Sequence, residues 1–294
     1  MPLVSVITCT YNRAHLIGET IQSVLSQNFE DFEYIIVDEG DDGTDRLVKS
    51  YNDHRLLYFK VANTQGYLSK LRNFGMRSST GKYIAFVDSD DIWSPDKLVV
   101  QLNKLENDDS IGFSFTDIEM FDERGVFRKS IYTHKNSFCG SVFEDLVKNK
   151  FVICATTLLF RRTCLEKIGY QRENLKSGDF DFIISLAASF NAFAVCESKV
   201  KVRKHAQNLT HKLEADRTRS YLAPLHDLRN KGLVSNTVLD KTLSKLNFNF
   251  GVQFLKQHDY QLAISCLKES ILHNKLSIKS YGRLAEALAR SMLS

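Results

Sequence analysis

Two hydrophobic rhythms alternate along the first third of the chain. Residues 3–8 form an apolar, β-branched run that predicts a strand, followed by the loop Thr10-Tyr-Asn-Arg13. Over 14–27 the apolar positions Leu16, Ile17, Ile21, Val24 and Leu25 recur at helical spacing. The pattern then repeats: a strand over 32–37 ending at Asp38, a helix over 45–51, a strand over 56–61, and a helix over 66–77 carrying Lys70, Arg72 and Asn73. Residues 83–87, Tyr-Ile-Ala-Phe-Val, are apolar at every position, as in a strand buried on both faces. Strands alternating with helices predict βαβ units, a mostly parallel sheet and right-handed crossovers. Ligands of open α/β sheets gather beyond the carboxyl ends of the strands. The loops after Thr8, Val37 and Val87 are therefore expected to converge on one edge.

The middle of the chain is less regular. Strands are expected over 111–115, 151–160 and 192–202, with a turn at Asp122-Glu-Arg-Gly125 following another strand. A short helix over 162–167 should end at Gly169, and an amphipathic helix over 179–188 should open at Gly178-Asp179. From about Leu213 the pattern is wholly helical. Gly251, Leu255, Tyr260, Ala263 and Leu267 give residues 249–273 the look of one tetratricopeptide-type helix pair, with a further partial set at 277–289. A single such repeat cannot bury its own face and should pack on something else. Two domains are thus expected, 1–212 and a helical extension 213–294.

Composition narrows the class. Of 294 residues, 43% are hydrophobic and 25% charged, an ordinary globular balance, and a net charge of +4 is too small to argue for nucleic acid. The six cysteines, Cys9, Cys139, Cys154, Cys164, Cys196 and Cys266, form no Cys-x-x-Cys pair, so neither a zinc site nor a disulfide framework is indicated and a reducing cytoplasm fits. No run reaches the roughly 18 apolar residues of a membrane span. The first residues lack a basic segment and read as a strand rather than a signal peptide, and the sequon Asn208-Leu-Thr is then coincidental.

Chemistry concentrates at the end of the 83–87 strand, where Asp88, Asp90 and Asp91 fall within four residues. Three carboxylates so close repel one another, and something cationic should sit among them. Oxygen ligands suit Mg²⁺ or Mn²⁺, and Mg²⁺ usually shares them with a substrate phosphate. The plainer alternative is a polar loop in which Asp91 caps the helix that Pro95 introduces.

Four stretches, Ser5-Val-Ile-Thr-Cys-Thr-Tyr-Asn12, Tyr34-Ile-Ile-Val-Asp-Glu-Gly40, Lys70-Leu-Arg-Asn-Phe-Gly75 and Gly81-Lys-Tyr-Ile-Ala-Phe-Val-Asp-Ser-Asp-Asp91, resemble in order and spacing the family 2 inverting glycosyltransferases of GT-A fold, over about residues 3–205. The sequence departs from the family in two places. The usual double Asp after the second strand is Asp38-Glu39, with a shorter loop, and the later Glu-Asp pair is Gly178-Asp179.

The resemblance implies a Rossmann-like sheet flanked by helices and transfer of a sugar from a nucleotide-sugar, a UDP-sugar by expectation, to the hydroxyl of a saccharide or lipid-linked acceptor. The setting would be surface polysaccharide or glycoconjugate synthesis. It places Asp90, Asp88 and His205 at the metal, Mn²⁺ or Mg²⁺. Thr10, Tyr11, Asn12, Asp38, Arg72, Asp88 and Ser89 fall at the nucleotide-sugar, Asp38 and Arg72 on opposite sides of one uracil edge. Asp179 falls at the general base, with Asp181 pointing elsewhere and Arg203 near the phosphates. Read by itself, Asp179 is better taken as a helix N-cap, and Tyr11 is equally a packing residue. The enzyme would be cytoplasmic, at the inner face of the membrane if its tail touches lipid. The tail could also join two copies. The competing reading is a degenerate transferase domain serving as a scaffold through the tail; a nucleotidyltransferase would want a Gly-rich basic signature after the first strand, which Thr10-Tyr-Asn-Arg13 is not.

Overall fold

A computed structural model describes residues 1–132, 136–150, 152–176, 178–205, 208 and 214–292. Position 213 and most of the sequon lie outside these residues. In chain order the elements are β1 (Val4–Thr10), α1 (Ala14–Leu25), β2 (Phe32–Asp38), α2 (Thr44–Ser50), β3 (Leu56–Lys60), α3 (Leu68–Ser78), β4 (Tyr83–Phe86), β5 (Ile92–Trp93), α4 (Lys97–Asn107), β6 (Ile111–Asp122), β7 (Gly125–Arg128), β8 (Phe138–Gly140), α5 (Phe143–Val147), β9 (Leu159–Arg161), α6 (Cys164–Ile168), α7 (Asp179–Ser189), β10 (Asn191–Arg203), α8 (Ala215–Asn230), α9 (Asn236–Lys256), α10 (Tyr260–His273) and α11 (Ile278–Ser291). They fall into two compact units, Met1–Phe143 with Val152–His205, and Glu144–Phe151 with Ala206–Ser294. Among the described residues no helix is long and apolar enough to cross a membrane.

The first unit is built on one mixed sheet of order β3-β2-β1-β4-β9-β6-β10-β5. Strands β3, β2, β1 and β4 run parallel, so their carboxyl ends share an edge. Register aligns Thr10 with Asp38 and Asp38 with Lys60 across three strands. The apolar runs of these strands are buried because helices cover the sheet: Val6, Tyr34, Ile36 and Ala85 share one core with Ile17, Ile21 and Val24 of α1 and with Leu98 and Leu102 of α4. Helix α3 packs closely on β1 through Gly75, where an added Cβ would stand 2.5 Å from Ile7 Cγ2. That close approach delivers Arg72, one turn earlier, beside the carboxyl edge.

The middle corrects the expectations drawn from periodicity. Of the apolar run 151–160 only Leu159 and Phe160 enter a strand, β9, which lies antiparallel between β4 and β6; Phe151 lies outside the described residues. Ahead of it Ala155–Thr157 makes a 3₁₀ turn, in which both the Thr157 N–H and its hydroxyl donate to the Cys154 carbonyl. Threonine hydroxyls that bond the local backbone compete with ladder pairing. Strand β6 is longer than its apolar run because it pairs in parallel with the 13-residue β10, through three irregularities in the register.

In the second unit α9, α10 and α11 pack around Phe254, Leu255, Ala263 and Leu267. Gly251 allows the α9–α10 approach: an added Cβ would fall 2.6 Å from Leu267 Cγ. The helix pair is therefore present, but its first helix is one continuous element of 21 residues.

Candidate active site

Four polar loops meet at the carboxyl edge of β1, β2 and β4. Asp38 closes β2 and is buried, its carboxylate taking the Gly40 N–H at 2.7 Å and the Tyr58 hydroxyl at 2.8 Å, with Lys60 Nζ 3.8 Å away. Burial pushes this carboxyl above its usual range, against the pull of Tyr58 and Gly40. The neighbouring Glu39 is held by the backbone N–H and the hydroxyl of Thr64. Thr10 is buried, its backbone carbonyl takes the Glu39 N–H at 3.1 Å, and its hydroxyl finds no partner among the described residues. Tyr11 is 62% exposed, which removes the packing reading. Asn12, at φ 53°, accepts the Asp41 N–H through Oδ1 at 2.8 Å, tying the first loop to the second.

Beyond β4 the three carboxylates are treated differently. Asp88 takes Arg72 Nη2 at 2.9 Å. Ser89 is buried beside it. Asp90 Oδ2 meets His205 Nε2 at 2.9 Å. Asp91 is buried and accepts the Arg203 N–H at 3.2 Å; burial, then the Asp88 and Asp90 charges, push it well above the usual carboxylate range. The cap assigned to Asp91 does not form, since α4 begins six residues later, at Lys97, with Asp96 at its N-cap. Arg203 is engaged by Glu19 at 2.8 Å and by the Asp90 carbonyl at 3.2 Å rather than standing free for a phosphate.

Arg72 is the cation among these carboxylates. Only 2% exposed, it lies over the Phe86 ring with its other amino group on Asp179. The sequence reading set Arg72 against Asp38 on a nucleobase edge; the structure gives its guanidinium to Asp88 and Asp179, reaching over the Phe86 ring of β4 from a helix that packs on β1 and β2. Asp179 is the first residue of α7, and the N-cap position belongs to Gly178, with no side-chain capping bond. The helix-cap reading of Asp179 is thereby overturned. Asp181 turns away into a two-pronged pair with Arg172. Gly178, where the resemblance expected Glu, is closely packed: an added Cβ would meet Gln171 Oε1 at 3.1 Å and Ser69 Cβ at 3.4 Å.

The fit of a divalent cation can be judged from these donors. Asp88, Asp90 and His205 do not close into one ligand set, and among the described residues no three His, Cys, Asp or Glu side chains stand together as a metal cage. Asp88 is drawn to Arg72 instead. Asp90 and His205 remain as an oxygen and a nitrogen donor, about 15% exposed each, which fits a cation that completes its shell with substrate phosphates.

Sequence reasoning missed Thr156, whose hydroxyl accepts the Asp88 N–H at 3.4 Å and bonds the Asp91 carboxylate, and whose carbonyl takes the Trp93 indole N–H at 3.0 Å. It lies inside an apolar run, and only the turn that precedes β9 brings it to the site. Tyr58 and Lys60 were also missed, although their period-two spacing on a strand paired with β2 was a legible signal. Cys9 lies near Arg72 and Asp88, and burial pushes its thiol up to about 12, which makes it inert.

The family model for glycosyl transferase family 2 matches residues 5–169. An uncharacterized glycosyltransferase of Rickettsia bellii is 34% identical over 214 residues, 70% of this chain but 29% of the relative's own length, so the chain spans about a third of that protein. The UDP-Glc:alpha-D-GlcNAc-diphosphoundecaprenol beta-1,3-glucosyltransferase WfgD of Escherichia coli is 30% identical over 160 residues, 54% of this chain and 60% of that one. The crystal structure of S. aureus TarS in complex with UDP-GlcNAc superposes with a TM-score of 0.72 at 19% identity, covering 99% of this chain and 88% of the other. The likeness in fold extends through the helical C-terminal part, and the match over 5–169 takes in all four quoted motifs: the chain belongs to glycosyl transferase family 2, with the GT-A fold.

Proposed function

We propose that this chain is an inverting, metal-dependent glycosyltransferase that moves a sugar from a UDP-sugar to an acceptor hydroxyl in the synthesis of a cell-surface polysaccharide or glycoconjugate. The observation that carries the reading is Arg72 bridging Asp88, at the donor edge of the sheet, to Asp179, at the start of α7. One cation thereby fixes a donor-side carboxylate and a candidate base in a single cluster.

In the proposed reaction Asp179 takes the proton of the acceptor hydroxyl as its oxygen bonds to the anomeric carbon. The bond from that carbon to the diphosphate oxygen breaks, and the nucleoside diphosphate leaves with the electron pair. Asp90 and His205 would hold Mn²⁺ or Mg²⁺, which when bound would neutralise charge on the departing diphosphate. Asp38, with one lone pair on each oxygen already used by Gly40 and Tyr58, keeps acceptor capacity for an N–H of the base. The buried, unpartnered hydroxyl of Thr10 and the exposed ring of Tyr11 flank the same place. Residues 1–212 would carry the reaction, and 213–294 would serve contact.

The UDP donor is supported by the UDP-Glc that WfgD uses and by the UDP-GlcNAc bound in TarS, and the lipid-linked acceptor by the diphosphoundecaprenol acceptor of WfgD. A panel of UDP- and GDP-sugars with Mn²⁺, assayed for hydrolysis and for inversion at the released anomeric carbon, tests the proposal. Release from UDP-sugars with inversion is expected; retention, or no turnover of any donor, would overturn it.

A further inference from the structure

The turn between α10 and α11 leaves large apolar side chains in water. Leu272 is 64% exposed, Leu276 89% and Ile278 85%, and Tyr281 follows one turn later at 49%. Scattered single apolar residues on a surface are ordinary, but four within ten residues at one helix–turn–helix tip form a patch. The turn that carries them is not loose. The Asn274 N–H bonds the Ser270 and Ile271 carbonyls, the Leu276 N–H bonds Asn274 Oδ1 at 3.2 Å, and the Ser277 N–H bonds the Asn274 carbonyl. Ser280, three residues beyond, is buried and joins Ser270 and Ser277. A hydrogen-bonded turn thus points its leucine and isoleucine outward.

Along the chain the patch itself carries charge of one sign, flanked by acids that are themselves engaged: Glu286 by Arg283 at 2.6 Å, and Asp240 by His273 at 2.9 Å. Lys275 and Lys279 lie within the patch, Arg283 just beyond it, and no Asp or Glu occurs between Glu269 and Glu286. Lys279 and Arg283 also line, with Phe248, Gly282 and Glu286, a hollow of about 370 Å³. An apolar tip ringed by lysines complements one kind of surface in particular. The apolar side chains suit the acyl boundary of a bilayer, and the lysines suit the anionic headgroups above it.

We infer that the α10–α11 tip is a docking site for an anionic lipid bilayer, through Leu272, Leu276 and Ile278 with Lys275 and Lys279. Three apolar side chains and a few charges make a reversible contact, far weaker than insertion of a spanning helix. The inference stands independently of the transfer reading, since it uses no residue of the first unit.

Co-sedimentation of the full chain with vesicles separates the possibilities. Binding to vesicles of equal parts phosphatidylcholine and phosphatidylglycerol, weakening as salt is raised and slight on phosphatidylcholine alone, is expected. The double variant Leu276→Glu with Ile278→Glu should lose binding by roughly tenfold or more, and Lys275→Glu with Lys279→Glu by a similar factor. Both pairs are exposed, so unchanged circular dichroism and thermal melting should accompany the loss. Parent-like binding by both double variants, or no binding by the parent, would overturn the inference. So would light scattering that finds a dimer dissolved by Leu276→Glu with Ile278→Glu, which would make the tip a contact between copies.

Discussion

Asp90 and His205 meet side by side, Oδ2 to Nε2 at 2.9 Å, across 115 residues of chain. One ends the loop after β4 and the other follows β10, strands that are not neighbours in the sheet. An acid and an imidazole, both partly open to solvent, are thereby left next to the carboxylate that Arg72 neutralises.

If this pair holds a divalent cation, Asp90→Ala should fold like the parent yet gain nothing from Mn²⁺ when it binds UDP. Calorimetry with and without the metal should show the parent gaining at least about 1.4 kcal/mol, a factor of ten, and the variant none. His205→Ala should lose part of the same gain. An unaltered metal response in Asp90→Ala would remove both residues from the metal.

Asp179→Asn changes no cap, because Gly178 holds that position. It keeps the shape and removes the ability to take a proton. UDP and Mn²⁺ should bind as in the parent while transfer falls by roughly 10²-fold. Arg72→Lys should lower transfer as well, since an ammonium cannot present the planar fork that spans two carboxylates. Because Asp88 and Asp179 are each partly exposed, the stability lost in Arg72→Met should be nearer about 2 kcal/mol than the cost of breaking a fully buried pair. Near-parental transfer by Asp179→Asn would place the base elsewhere.

Asp38 should make the site prefer UDP over GDP, and Asp38→Ala should erase the preference. Tyr58→Phe takes from the buried carboxylate the donor at 2.8 Å, and urea unfolding should register a loss of about 1.5 kcal/mol or more. Equal affinity of the parent for UDP and GDP would sink the nucleobase assignment.

Lys97 offers a pH test away from the site. It is fully buried, with its ammonium nitrogen 2.8 Å from Gln101 Oε1 and 3.8 Å from the Trp93 ring centre, and burial holds its pKa well below the ordinary lysine value of 10.5. Between the lowered folded pKa and 10.5 the unfolded chain binds the extra proton, so this residue makes stability rise with pH. Lys97→Met should flatten that rise in urea unfolding between neutral and mildly alkaline pH, and should be stable at neutral pH despite the lost amine. A slope unchanged in the variant would show that Lys97 is not its source.

The sequence by itself determined the alternating elements of the first third of the chain, the helical C-terminal part and most of the polar residues that the sheet edge collects. That succeeded because a parallel strand buried on both faces is apolar along its length, and the polar residue at its end necessarily faces the edge. Asp38, Asp88 and Asp90 were legible for this local reason. What the tertiary structure decided are pairings between elements distant in the chain: Arg72 with Asp88 and Asp179, Asp90 with His205, Thr156 with Asp91. Sequence spacing carries no record of which elements become neighbours across a mixed sheet, and the antiparallel insertion of β9 is what brings Thr156 beneath the carboxylates. It likewise carries no record of burial at a charged position. No sequence signal marks Lys97 as buried, and only the packing of α4 against the sheet encloses it. At the far end of the chain the helical periodicity was plain, but the exposure of Leu276 and Ile278 depends on how the α10–α11 turn closes its hydrogen bonds.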